Sequence, residues 1–206
     1  MKKLVLIILV LLAMPLASNA QSASSVFNTH EVTWFGVDFS NAKFIGPEGF
    51  SNPVEIVDRF FDSWNNLVVS EQKKYDIKKH FRKRYVEYDL SIVKERNSSV
   101  DPDDLVLESY ESHELSMEDI RQIISEYNSN RSGLGLVFIV ETFNKPRDLG
   151  TMYVTFFDIK TGKVLFTEKL SGKAGGIGLR NYWASSIHKV FIESGKQYGK
   201  WKKYYN

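Results

Sequence analysis

The chain has 206 residues, with 27 Lys+Arg against 25 Asp+Glu, 14% aromatic residues and no cysteine. So balanced a charge gives no bulk attraction to nucleic acid or an acidic membrane surface, and without cysteine neither a disulfide nor a lipid-modified thiol is expected.

Residues 1–20 carry the marks of a secretory signal peptide. Lys2 and Lys3 form a basic start, residues 4–12 are apolar, and Ser18 and Ala20 place small side chains at the cleavage determinants. The apolar run is too short for a comfortable membrane span. The mature chain is expected to begin at Gln21 and to keep 206 − 20 = 186 residues, one α/β domain over residues 21–206 with a flexible arm at 21–29. Loss of Lys2 and Lys3 leaves 25 basic against 25 acidic residues. The expected location is therefore periplasmic or secreted, with no lipid anchor, no integral span and no nucleic-acid partner.

After the arm, residues 30–38 (HEVTWFGVD) read as a strand and 42–45 as a short second one. Asn52, Pro53 and Glu55 punctuate the start of a helix over 52–69. Its face is Val54, Val57, Phe61, Trp64 and Val68, spaced by three or four. Residues 71–84 are strongly basic and form a short helix or loop, and residues 85–93 (YVEYDLSIV) return to strand. An acidic segment over 101–119 includes a short strand at 105–110. Ser116 with Asp119, and Leu115 with Ile120, then mark a helix start running to Tyr127.

The last third organises the rest. Residues 134–143 (LGLVFIVETF) are almost continuously apolar, the pattern of a strand buried on both faces. A polar turn, a second strand at 151–158, a hairpin loop with Gly162 and a third strand at 164–170 complete an antiparallel meander. A glycine-rich loop over 171–178 leads into the final helix. Trp183, Ile187, Val190, Ser194, Tyr198, Trp201 and Tyr205 form one helical stripe, which makes packing the better reading of the basic, aromatic tail. Gly195 and Gly199 would each cost that helix about 1 kcal/mol relative to alanine, so fraying or bending is expected there. Together these elements predict a single mixed, largely antiparallel sheet of about five strands with helices packed on it.

Only the glycine-rich loop suggests a ligand. A strand, glycines and a helix start can aim several backbone N–H groups at an anion. The candidate ligand-binding residues are Gly172, Lys173, Gly175, Gly176, Gly178 and Arg180. Neither the Walker spacing nor the dinucleotide pattern is met, since the third glycine of the latter would fall at Asn181. A flexible crossover from sheet to helix is the better reading of these glycines, since such matches often mark backbone needs. The four histidines, His30, His80, His113 and His188, fall at no metal-ligand spacing, and no serine has a nucleophile context. No catalytic residue, metal or cofactor is assigned.

The run Asp158, Thr161, Gly162, Lys163, followed by a strand, a glycine-rich loop and a helix, resembles the second half of small envelope α/β domains. These are the N-terminal domain of the translocation protein TolB, the curli secretion lipoprotein CsgG and the lipoprotein activators of penicillin-binding proteins. The segments Val37-Asp38-Phe39-Ser40, Phe44-Ile45-Gly46 and Arg180-Asn181-Tyr182-Trp183 look like exported proteins of unknown function from Bacteroidota. The resemblance implies a non-catalytic interaction or assembly domain of the bacterial envelope, with another envelope protein as partner. Two alternatives stand beside it: a binder of a small anion or glycan at the glycine-rich loop, and an unrecognised hydrolase.

Overall fold

The computed structural model describes residues 23–205. The signal peptide expected over 1–20 and the first residues of the arm lie outside them. Within the expected arm the chain is not loose: Ala23–Asn28 form a helix, α1. The reason is burial of Val26 and Phe27, the latter edge-on to Phe166 and Tyr198 at centroid distances of 5.5 and 5.3 Å.

Strand β1 (Glu31–Asp38) is followed by β2 (Lys43–Ile45). The next helix comes in three pieces: α2 (Pro53–Glu55), a π-turn at Ile56–Phe60, and α3 (Phe61–Ser70). Asn52 caps it by accepting the Glu55 N–H. Helix α4 (Ile77–His80) and strand β3 (Tyr85–Tyr88) come next. The strand expected over 85–93 stops early, because Asp89 accepts both the N–H and the hydroxyl of Ser91 and starts α5 (Ser91–Ser98). Strand β4 is only Val106–Leu107. Helix α6 (Met117–Ser125) opens on the reciprocal Ser116–Asp119 capping box. Then follow β5 (Leu134–Asn144), β6 (Leu149–Asp158), β7 (Lys163–Lys173) and α7 (Leu179–Tyr205).

The expectation of a largely antiparallel sheet of about five strands is overturned. Seven strands join one sheet in the order β3-β1-β5-β2-β4, with β6 on β5 and β7 on β6. Four of the six pairings (β1–β3, β1–β5, β2–β4 and β2–β5) are parallel. Only β5–β6 and β6–β7 are antiparallel. The cause lies in the alternation of short strands with helices through the first two thirds of the chain. A helical crossover returns the chain to the same end of the sheet, and the next strand then runs parallel. β1 and β2 occupy successive lengths of the same edge of β5, against Gly135–Ile139 and Thr142–Asn144.

β5 is buried on both faces, and its alternation divides the core. Leu136, Phe138 and Val140 join Trp34, Phe61, Trp64, Phe81, Trp183 and Phe191 on the side of α3, α4 and α7. Val137 and Ile139 join Phe35, Val93, Ile120, Ile123, Ile124 and Phe157 on the side of α5 and α6. Helix α7 does not break at its glycines. A Cβ on Gly195 would sit 2.5 Å from His80 Nδ1, and one on Gly199 would sit 3.1 Å from Arg82 Nη2. Both glycines face α4 and its exit, so the close approach between helices uses the missing side chains.

Candidate functional site

The parallel strands end at one edge of the sheet, where open α/β folds place their ligands. Asp38 closes β1 there and is fully buried. β3 pairs with β1 only as far as Trp34, so the backbone beyond it needs other partners. Two buried asparagines supply them. Asn65, from α3, accepts the Val37 N–H at 2.7 Å and donates to the Val37 carbonyl at 2.9 Å. Asn97, from α5, accepts the Phe39 N–H at 2.7 Å and donates to the same carbonyl at 3.1 Å. Gly36, at φ +121°, lets Asn65 in: a Cβ there would lie 2.5 Å from its Oδ1.

Held in this way, Asp38 accepts three hydrogen bonds: from Ser40 N–H at 2.8 Å, Arg96 Nε at 3.0 Å and the Tyr127 hydroxyl at 2.7 Å. Arg96 also donates to Glu126 at 2.5 Å and to the Ser40 hydroxyl at 2.9 Å. Burial lowers the pKa of this guanidinium, but Asp38 and Glu126 outweigh it and hold the arginine above its ordinary value. Burial, and then the Asp38 charge, push the Tyr127 hydroxyl well above the usual phenol range. The carboxylate is thus committed to its donors, and the cluster orients Arg96 rather than offering a base. Beside it opens a cleft of about 570 Å³ between α5 and the end of α6.

A second buried carboxylate lies further along the same edge. The β5–β6 register jumps from Val140–Met152 to Thr142–Thr151, and Glu141 is the residue left unpaired in the bulge. Glu141 accepts the Leu115 N–H at 2.9 Å and pairs with Lys169 at 2.8 Å. Partial burial opposes the charge of Lys169, but the Glu141 hydrogen bond and charge raise its pKa on balance. A cavity of about 310 Å³ adjoins it, with His113 and Arg147 on its walls. His113 is pinned to the Asn41 carbonyl at 2.9 Å, which ties the two regions together.

The residues singled out from sequence are divided by the structure. Gly172 lies inside β7, where a Cβ would meet the Ser186 carbonyl oxygen at 2.1 Å, so this glycine serves the packing of α7 on the sheet. Gly175, Gly176 and Gly178 do form the turn into α7. The Gly175 N–H donates to the Tyr182 carbonyl at 3.1 Å, and Gly176 and Gly178 take φ of +122° and +77°. Lys173 is exposed at the end of β7. Arg180 points away to α3, with Nε on the Ser63 hydroxyl at 2.8 Å and its carbonyl accepting Trp64 Nε1. At the tip, Ile177 is 92% exposed. Asp148 stands behind the loop, kept below the ordinary carboxylate range by the Tyr182 hydroxyl and then by Lys145.

Sequence reasoning missed Asp38, Arg96, Tyr127 and Glu141. In the sequence, Val37-Asp38-Phe39-Ser40 marks only a strand end and a resemblance. A charged residue closing an apolar strand was the available signal. Among the described residues no cluster of three His, Cys, Asp or Glu side chains is placed to hold a metal ion, and no helix is long and apolar enough to cross a membrane. No protein-family model and no curated protein matches the chain.

Proposed function

We propose that this chain is an exported, non-catalytic interaction module of the bacterial cell envelope, which binds an extended segment of another envelope protein along β7. The carrying observation is the open edge of that strand. β7 has 11 residues and, among the described residues, pairs with β6 alone. A strand of that length offers a row of backbone donors and acceptors to an incoming strand. Thr167, Lys169, Ser171 and Lys173 share one face of it, opposite Thr155, Tyr153, Thr151 and Leu149 of β6. Lys169 on this face is held by Glu141, and the exposed Lys173 suits a partner segment carrying an acidic side chain at that end of the strand. The non-catalytic reading draws support from Asp38 and Glu141, two buried carboxylates each engaged by structural donors. Export draws its support from residues 1–20 alone.

The test compares affinity capture from envelope extracts by the wild-type chain and by Lys163→Glu/Lys173→Glu, two exposed changes at the ends of the strand. A partner captured by the wild type and lost by the variant is expected. Identical capture by both overturns the assignment to β7. N-terminal sequencing of the mature protein should begin at Gln21, and an unprocessed chain in the cytoplasm overturns the export reading.

A further inference from the structure

We infer that the cleft between α5 and the end of α6 is a binding site for a neutral saccharide. This does not depend on the reading of β7. The cleft measures about 570 Å³, within the range of small-ligand sites. Its back wall is Arg96, locked by Asp38, Glu126 and Ser40, so the site is already arranged before any ligand arrives. Charge sets the class of ligand. One guanidinium faces three carboxylates, Asp38 and Glu126 bonded to it and Glu95 beside it, so phosphate, sulfate and carboxylate ligands are repelled.

Glu95 and Asn128 line the cleft, exposed at its mouth, and among the described residues their side chains make no hydrogen bond. Among the described residues Asn41 uses only its amide oxygen, accepting from the Ser40 hydroxyl, and keeps its NH₂. A free carboxylate acceptor flanked by amide groups matches a vicinal diol, whose hydroxyls each donate once and accept once. Ile92 and Val100 supply the apolar patch on which the C–H face of a sugar ring rests. An organic cation would meet the same excess of negative charge, so the absence of an aromatic ring in the lining to hold it decides against that class.

The experiment is an amide-resolved NMR titration of the mature protein with N,N′-diacetylchitobiose, cellobiose and maltose. Inorganic phosphate and tetramethylammonium are run in parallel. At least one disaccharide should give saturable shifts centred on Asn41, Glu95 and Asn128. Glu95→Gln and Asn128→Ala should each weaken its binding by about tenfold, the loss of one good hydrogen bond, while the rest of the spectrum stays folded. The inference is overturned if no disaccharide saturates the cleft. It is equally overturned if phosphate or tetramethylammonium does so instead, or if both variants bind the sugar as the wild type does.

Discussion

Lys83 is a lysine buried without an acidic partner among the described residues, and the pH dependence of folding should report it. Its side chain is 4% exposed and donates to the Val26 and Thr29 carbonyls at the end of α1. The rings of Phe156 and Tyr198 lie 5.7 and 5.9 Å from the ammonium. Burial, with a smaller push from Lys202, brings its pKa down to about 8 from 10.5. At neutral pH both folded and unfolded chains hold the proton, and the folded chain bears the cost of the buried cation. As pH rises from about 8 towards 10.5 the folded chain releases the proton first, so stability increases through that window. The neutral amine still donates to both carbonyls. A shift of this size corresponds to roughly 2–3 kcal/mol gained between pH 7 and 10. Burial pushes the Tyr75 and Tyr198 phenols up to about 12, and these destabilise the fold above pH 10. The clean quantity is therefore the difference between wild type and Lys83→Met, measured by urea unfolding at each pH. The wild type should gain on the variant by that amount between pH 7 and 10. A difference that stays flat across the range would refute the reasoning.

Other substitutions separate packing from ligand roles. Gly172→Ala should cost about 1–3 kcal/mol in thermal or urea unfolding, because its Cβ would meet the Ser186 carbonyl of α7 at 2.1 Å. Gly175→Ala should be close to neutral in the same assay, since nothing lies within 4 Å of its Cβ. Asp38→Ala should cost about 3–5 kcal/mol, as it leaves Arg96 and the Tyr127 hydroxyl without their buried acceptor. Asn97→Ala, which strips the Phe39 N–H and Val37 carbonyl of a partner, should cost about 1–3 kcal/mol and speed amide exchange at Phe39.

Local signals in the sequence suffice where local physics decides the outcome. The apolar run that became β5 is buried on both faces, and Ser116 caps α6 in the reciprocal geometry its spacing implies. Trp183, Ile187, Val190, Ser194, Tyr198 and Trp201 are buried along α7 as one stripe. What escaped was set by contacts distant in sequence. Ile92 and Val93 are β-branched and read as strand, yet Asp89 starts a helix and Asn97 on that helix serves the backbone of β1. The parallel pairing of β1 with β5 joins residues about a hundred positions apart, and no turn between them announces it. Lys83 sits in a basic run that looks solvated until α1 folds over it. Asp38 and Glu141 are ordinary acidic residues in the sequence. Only the strand end and the bulge bury them.

The central claim, that this domain works as an interaction module through β7, is tested most directly by placing a photo-crosslinking amino acid in the full-length protein expressed in its own cells. Positions 167 and 171 probe the open strand, position 87 the β3 edge and position 118 the start of α6. One discrete protein adduct is expected at 167 and 171, and none at 87 and 118. Adducts confined to 87 or 118, or none at any of the four positions, would contradict that claim.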